Sequence, residues 1–463
     1  MVSSIDRILN ALELKEPIDR IPKMELFANI LPTIKYNINF QYFPKRVQHF
    51  VLKFVEKLVI FTKRNLKMID EASMREKKDP TSLVSELLAN IISENLSASF
   101  TSDKNFLDTT REYLKTPIKL GYDAWSLISL FWPGYILGMV KTGNKNQVLS
   151  REGAIFDIDT DLEILSKSVL FPNNYLHQIQ FETEFYNSLL ESEDLDIMAE
   201  KVRKIMESKI LGKKIKDQIV AYPMIPGIYE TWLYTFGVMN MTQFHRVTYN
   251  EWRNGCKGPY HDLLELKVKV YTEYIKRLAE VDGVIAFCNG DDSAILSGPM
   301  SNPNLFHDYI APLTKKIVDQ VHQSGLKYIF HSDGNFKMEG REKDEEKWFF
   351  MNTIIDTGID ALHPIEMKAN DIEEIKEAFG NKICLCNGID TMELQDGTPK
   401  SIARCTFNVL KKVYKGSNGK MNGYIAGSDN SIHGGTKIPL WKQMLFTVDE
   451  FSEKYNFGKS IRI

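Results

Sequence analysis

The chain contains few cysteines for its length, five in 463 residues. They are Cys256, Cys288, Cys384, Cys386 and Cys405. So sparse a set excludes the disulfide framework that holds small secreted domains together. The segment from Met1 to Arg7 opens an amphipathic helix and lacks the apolar stretch of a secretory signal peptide. We therefore expect free thiols and a cytoplasmic location.

The sequence also lacks a long apolar run and a strong net charge. Its most apolar stretch, residues 127–140, is interrupted by Pro133 and Gly134. A transmembrane helix needs about 20 apolar residues, so we expect no membrane span. The net charge is −3, which does not favour a nucleic-acid partner. Hydrophobic residues make up 43% of the chain, enough for a large globular core.

A regular alternation of strand-like and helical segments is present instead. Helical patterns over residues 263–278, 305–322 and 372–379 separate β-prone runs. Those runs are 21–27, 218–224, 284–287, 327–330, 361–364, 383–386 and 423–426. With one further strand that is hard to place before residue 215, they suit the eight strands of an α/β TIM (β/α)8 barrel.

Residues 45–115 show a different pattern, without strand alternation. Val47, Phe50, Val51 and Phe54 recur at the three- and four-residue spacing of an amphipathic helix. We predict a helical insertion or cap over residues 45–150. The N-terminal helix and first barrel strand would then occupy residues 1–44, and the remainder of the barrel residues 151–463.

Polar side chains follow five consecutive strand candidates, each at the point where the strand stops. They include Asp292, His331, Asp333, Glu366, Asn387 and Asp429. A single residue of this kind can simply cap the next helix. In a parallel barrel, however, the carboxyl ends of all strands meet at one mouth, where catalysis takes place. The sequence therefore predicts a shared acidic pocket.

Three chemistries fit such a pocket. His331, Asp333 and Glu366 would supply nitrogen and oxygen ligands to a metal ion. Crowded carboxylates including Asp292 would keep one another partly protonated for acid–base catalysis. The same carboxylates would also recognise a cationic or hydroxylated substrate. A purely structural histidine–carboxylate pair is the alternative to all three.

Taken as a set, these motifs resemble the uroporphyrinogen decarboxylase superfamily, and within it the corrinoid-dependent methyltransferase branch. The similar segments are 7–22, 289–292, 298–306, 331–335, 358–366, 387–390 and 423–429. The decarboxylase holds porphyrinogen carboxylates with an Arg-Gln-Ala-Gly-Arg motif, which has no counterpart between Pro22 and Asn29. The resemblance implies a TIM barrel, a corrinoid protein as partner and a small methylated substrate.

Thiol-directed members of that branch hold zinc with His-x-Cys, a glutamate and a later cysteine. The matching positions here are His331, Asp333, Glu366 and Ser428, so both cysteines are replaced. We therefore expect methyl transfer from a methoxylated aromatic or a methylamine-like substrate to corrinoid cobalt. Any zinc would then occupy an oxygen-rich site formed by His331, Asp333 and Glu366.

The roles implied by this comparison divide the pocket into two groups. The catalytic group is His331, Asp333, Asp292 and Glu366, and the substrate-binding group is Tyr229, Glu230, Asn387 and Asp429. The alternatives are a decarboxylase-type lyase acting on a small carboxylate, a thiol-directed methylcorrinoid methyltransferase, and a binding protein without turnover. The oligomeric state is left open between a monomer and a homodimer.

Overall fold

The structure is a computed structural model that describes residues 2–26, 103–127, 138–142, 145–157 and 166–457, apart from residues 339, 342 and 434. Its strands are β1 (Met24–Glu25), β2 (Ala124–Leu127), β3 (Gly138–Thr142), β4 (Lys145–Leu149), β5 (Ala154–Asp157), β6 (Ser166–Val169), β7 (Lys209–Ile210), β8 (Lys213–Lys214), β9 (Val220–Pro226), β10 (Ala286–Gly290), β11 (Ala294–Ile295), β12 (Gly298–Pro299), β13 (Lys327–His331), β14 (Ala361–His363), β15 (Cys384–Cys386) and β16 (Tyr424–Ile425).

The helices lie mainly between the strands. They are α1 (Ser4–Leu12), α2 (Asp103–Leu120), α3 (Tyr175–Glu191), α4 (Asp194–Glu207), α5 (Trp232–Thr235), α6 (Met241–Arg253), α7 (Pro259–Ala279), α8 (Pro303–Leu305), α9 (Ala311–Gln323), α10 (Asp344–Lys347), α11 (Phe349–Asp356), α12 (Ile372–Phe379), α13 (Met392–Gln395), α14 (Pro399–Gly416) and α15 (Ile438–Lys454). Within the described ranges, none of these helices combines the length and the apolar character that crossing a membrane requires.

Eight parallel strands form a sheet that is nearly closed into a barrel. Their order is β1, β2, β9, β10, β13, β14, β15 and β16. A parallel bridge between Lys23 and Ala426 brings the first strand back to the last. The prediction of an α/β TIM barrel is confirmed, and the strand that was hard to place is β2.

The expected helical character of residues 45–150 is wrong for the parts of that range that form strands. β2 belongs to the barrel, and β3 and β4 pair with β5 and β6 in a four-stranded antiparallel sheet. All four residues of β2 are buried, so this strand has no polar alternation to reveal it. Helix α2 agrees with the prediction, whereas residues 45–102 lie outside the described residues. The division of the chain at residues 44 and 150 stays a prediction.

Apolar side chains fill the barrel interior, and several of them are small. Cys288, Cys384 and Cys386 lie there with Ala286 and Ala361, all buried in one cluster. They occupy alternate strand positions, as expected for the inward face of a barrel. The interior thiols are therefore free packing residues.

Helix α1 closes the amino-terminal end of the barrel. It starts with a capping box in which the Ser3 side chain accepts from the Asp6 amide and Asp6 accepts from the Ser3 amide. Its residues Ile8, Ala11 and Leu12 join the interior cluster. Because this end is covered, the carboxyl ends of the strands form the mouth at which a substrate would enter.

Candidate active site

The strand register places the predicted acidic residues at one level of the mouth. Gly290 at the end of β10 lies opposite His331, and His331 lies opposite His363 on β14. Asp292 and Asp333 follow these strand ends by two residues. Parallel pairing therefore brings them to one edge.

His331 is buried between two partners. Its Nε2 lies 3.5 Å from Asp292 Oδ1, and its Nδ1 lies 2.8 Å from Nδ1 of His363. On the far side, Nδ2 of Asn387 lies 2.9 Å from Nε2 of His363. Burial lowers the pKa of His331 and lowers that of His363 well below its usual value. Both imidazoles are therefore neutral at physiological pH.

Asp333 is an acid whose surroundings favour its protonated form. Burial, then the charges of Asp292 and Glu366, raise its pKa well above the usual value. Its amide donates to Asp292 Oδ1 over 3.1 Å, and its Oδ2 accepts from Asn430 Nδ2 over 2.8 Å. Among the described residues nothing hydrogen bonds to its Oδ1. This oxygen is buried, and it keeps a lone pair that a cation or an enclosed water molecule would satisfy.

A second acidic pair, Glu230 and Asp291, lies beside His331. A Cβ atom on Gly290 would lie 3.1 Å from Glu230 Oε2 and 4.0 Å from the His331 ring, so the missing side chain lets these groups approach. Burial and then Asp292 raise the pKa of Glu230 well above its usual value. Burial raises that of Asp291 to about 7. These raised pKa values favour the protonated form of the carboxyl groups beside the mouth.

Glu366 and Asp429 tie loops together. Glu366 accepts from the Gly334 amide over 2.9 Å, which orients the turn after β13. Asp429, only 4% exposed, accepts from the amides of Thr391 and Met367 over 2.9 Å and 3.2 Å. Both are positioned to shape the mouth, and the direct substrate contact predicted for Asp429 stays a prediction.

The predicted substrate residues Tyr229 and Asn387 are both buried, and their direct contact with a substrate stays a prediction. Tyr229 is fully buried, and its ring packs edge-on against Phe244 at 5.5 Å. Its hydrophobic ring is thus part of the core between β9 and α6. Asn387 is also fully buried, with its amide turned to His363. The strand-end pattern located both residues but did not reveal which way the side chains point.

The donor set fits a divalent cation. Within the described part of the chain, the group whose ligand atoms lie within 4.8 Å of one another is Asp292, His331 and Asp333. One imidazole nitrogen with carboxylate oxygens suits zinc or a harder divalent metal. Glu366, which we predicted as a ligand, is not in this group, because its carboxylate is turned towards the Gly334 amide.

Three further residues escaped the sequence analysis as functional candidates. His363 and Asn430 contact His331 and Asp333 directly. Glu25, on β1, is fully buried and accepts from the amide and hydroxyl of Ser428 over 2.8 Å and 2.7 Å. For His363, the alternation along β14 from the inward-facing Ala361 was the available signal. For Glu25, the signal was a lone acid in a short apolar strand.

The sequence of the second half of the chain matches a known family. Residues 237–451 match the family model described as Uroporphyrinogen decarboxylase (URO-D). This match supports the uroporphyrinogen decarboxylase superfamily, whose members are enzymes, for the part of the barrel that carries His331, Asp333 and Glu366. No curated protein matches the sequence.

Several solved structures show a weak likeness to the chain. D-psicose 3-epimerase with D-tagatose from Clostridium cellulolyticum H10 is 10% identical, with a TM-score of 0.32 over 61% of this chain and 94% of that one. A sugar phosphate isomerase/epimerase from Parabacteroides distasonis ATCC 8503 is 11% identical, with a TM-score of 0.32 over 75% and 92%. The endo-β-1,4-mannanase from Thermotoga petrophila is 11% identical, with a TM-score of 0.33 over 76% and 74%. Likeness at this level does not bear on function.

Proposed function

We propose that the protein is a methyltransferase that moves a methyl group from a small methylated substrate to the cobalt of a corrinoid protein. The substrate would be a methoxylated aromatic or a methylamine-like compound. The observation that supports this is the buried carboxyl group of Asp333 beside His331 and Asp292 at the barrel mouth, where burial raises its pKa well above the usual value. A methyl–oxygen or methyl–nitrogen bond breaks readily only when the departing heteroatom is protonated or bound to a Lewis acid.

The transfer balances with one proton. The heteroatom of the substrate accepts a proton from the mouth and keeps the electron pair of the bond to the methyl carbon as that bond breaks. Reduced cobalt supplies the electron pair for the new bond to the methyl group, and it is formally oxidised from +1 to +3. The products are the demethylated alcohol or amine and the methylated corrinoid.

The chain's own residues would supply and hold that proton. Asp333 and Glu230 both favour the protonated form, because burial and neighbouring carboxylates raise their pKa values well above the usual ones. Asp292, with 43% of its side chain exposed, is the most open of the group and would face the substrate. Asn430 holds Asp333 Oδ2, which leaves the buried Oδ1 as the oxygen without a hydrogen-bond partner among the described residues.

A divalent cation bound by Asp292, His331 and Asp333 would supply Lewis-acid binding of the same heteroatom. In that form the carboxyl groups would act as ligands and not as acids. Removal of metal by a chelator separates the two forms of the proposal, because only the metal-dependent form loses activity.

The two alternative reactions have less support. The negative charge of Asp292 at the mouth disfavours the carboxylate of a lyase substrate. A thiol-directed transferase needs a thiolate-rich metal site, whereas Cys288, Cys384 and Cys386 lie in the barrel interior. Burial raises the pKa of Cys288 and, well above its usual value, that of Cys386, so these thiols stay protonated.

The experiment is to incubate the protein with reduced cobalamin and a panel of methoxyarenes and methylamines, and to follow the visible spectrum of the cobalamin. We expect methylation with at least one donor. Asp333→Asn should lower the rate about 10²–10⁴-fold, the usual contribution of a general acid. Asp319→Asn is the matched control, since Asp319 is 48% exposed and paired with Lys315 away from the mouth. No methylation across the panel would contradict the proposal, as would an Asp333→Asn variant as active as the unaltered protein.

A further inference from the structure

Four side chains form a continuous series of polar contacts, here called the contact series, from the mouth into the barrel wall. The order is Asp292, His331, His363 and Asn387, with separations of 3.5 Å, 2.8 Å and 2.9 Å between the facing atoms. His363 and Asn387 are fully buried. Because these two residues lie behind His331, any effect that they have on chemistry at the mouth must pass through His331.

The contact between the two imidazoles holds one proton. Two Nδ1 atoms at 2.8 Å form a hydrogen bond only if one carries hydrogen and the other presents a lone pair. A neutral imidazole has one N–H. Which of the two Nδ1 atoms carries the hydrogen therefore also decides which of the two Nε2 atoms carries one. Two arrangements of hydrogens allow this hydrogen bond. In one of them His331 Nε2 presents an N–H to the mouth, and in the other it presents a lone pair.

Both ends of the contact series favour the same arrangement of hydrogens. At the inner end, Nδ2 of Asn387 can only donate, so Nε2 of His363 accepts and its Nδ1 carries the proton. At the outer end, Oδ1 of Asp292 already accepts from the Asp333 amide and lies 3.5 Å from His331 Nε2. A carboxylate oxygen stabilises an N–H at this distance and repels a lone pair.

We infer that His363 and Asn387 are positioning residues that fix the proton of His331 on Nε2, so that His331 presents a hydrogen-bond donor to the mouth. This deepens the proposed function, because the donor points to where the substrate heteroatom would lie. The protonation state of His331 can nevertheless be measured without turnover. A cation can use His331 Nε2 as a ligand only after the proton leaves this atom or both histidines change to the other tautomer.

Long-range ¹H–¹⁵N spectra of the full chain with ¹⁵N-labelled histidine report which ring nitrogen carries hydrogen. Signals are assigned with His331→Gln and His363→Gln. We expect Nε2 of His331 and Nδ1 of His363 to be of the N–H type and the other two to be of the lone-pair type. A lone-pair signal from His331 Nε2 in the unaltered protein would overturn the inference, whatever the outcome of the methyl-transfer assay.

Asn387→Asp, studied at a pH at which the new carboxyl group is ionised, replaces the terminal donor with an acceptor of the same shape. Both histidines should then adopt the other tautomer, so that in each ring the N–H signal and the lone-pair signal exchange between Nδ1 and Nε2. Asn422→Asp is the matched control: its amide donates to Leu14 O over 3.3 Å at the opposite end of the barrel, and it should leave the signals unchanged. A folded Asn387→Asp variant with the original tautomers would refute the positioning role of Asn387.

Zinc binding gives a second readout that does not depend on activity. By calorimetry with zinc chloride, Asn387→Asp should bind at least about 10-fold more tightly than the unaltered protein, since His331 then offers a lone pair. The added negative charge of the variant is controlled in a His331→Gln background, where the gain should vanish. Equal affinities of the variant and the unaltered protein, or a gain that persists without His331, would overturn the inference.

Discussion

Glu25 shows how one buried side chain can set the pH response of the protein. It is fully buried, and its described partners, Ser428 and Tyr122, are all uncharged groups. Without a cation to stabilise the carboxylate, burial raises the pKa of Glu25 to about 8. The native protein therefore keeps a proton on Glu25 at pH values at which the unfolded chain has lost it.

Stability should consequently fall as pH rises from about 4.5 to about 8, because unfolding releases this proton over that interval. Glu25→Gln removes this part of the pH dependence, which is of the order of 5 kcal/mol at most. The measurement is urea unfolding at several pH values, with Glu16→Gln at an exposed position as the control. Unfolding free energies that run parallel for Glu25→Gln and the unaltered protein would contradict this assignment.

At the residue scale the sequence predicted which acids gather, but not how they bond. Asp292, His331 and Asp333 follow strand ends, and parallel pairing places all such residues together. Glu366 was expected to be a ligand, yet it binds a backbone amide. Such choices depend on which donor lies within about 3 Å, a distance that strand order alone does not determine.

At the element scale, the β11–β12 hairpin is seated directly on the turn after β13. The Asn335 amide donates to Ile295 O over 2.9 Å. Gly334 has a φ of +95°, and a Cβ atom there would lie 2.4 Å from the carbonyl carbon of Ala294. The glycine thus permits both the turn and the close approach of the hairpin.

Gly334→Ala should destabilise the protein by about 2–5 kcal/mol, because left-handed strain and overpacking add. Gly325→Ala is the matched control: its φ is +75°, but nothing lies within 4 Å of the added atom. It should cost only the strain, about 1–2 kcal/mol. Thermal or urea unfolding of the two variants tests this, and equal losses would show that the hairpin does not constrain Gly334.

Elements that belong to the regular alternation of strand and helix were predicted well, and strands outside that alternation were not. Helix α12 has the predicted bounds, and β13 differs from its prediction by one residue. The antiparallel strands β3 and β4 were missed, since they pair in a separate antiparallel sheet that the alternation of strand and helix does not signal. Tertiary pairing, not local propensity, defines such strands.

At the scale of the whole molecule, Asp123 links the N-terminal segment to the barrel. Its side chain is fully buried and lies 3.1 Å from Arg7 and 2.6 Å from Arg20. It also accepts from the Lys23 amide over 3.0 Å, next to the bridge that brings β1 to β16. Removing its charge leaves two cationic groups without their buried partner.

Asp123→Asn should therefore lower the free energy of unfolding by about 3–5 kcal/mol. Asp319→Asn is the comparison, because Asp319 also pairs with a cation, Lys315, but both side chains are about half exposed, 48% and 52%. A pair of this kind usually contributes about 0–1 kcal/mol. Equal destabilisation of the two variants in denaturant unfolding would show that Asp123 is not central to closure of the barrel.

The architecture of the whole molecule was the most predictable property. Counting strand and helix alternation gave the barrel, because each parallel strand needs a crossover that leaves a long, repeated signal in the sequence. The composition of the mouth followed from that architecture. The direction of the His331–His363 contact did not, since it depends on a single proton.

The central claim is methyl transfer, and the most direct test follows the methyl group itself. A donor identified in the panel is prepared with a deuterated methyl group and incubated with the protein and reduced cobalamin, and the cobalamin is analysed by mass spectrometry. The account predicts that the deuterated methyl group appears intact on cobalt, in step with the demethylated product. Consumption of the donor without label on cobalt, or with release of carbon dioxide instead, would contradict it.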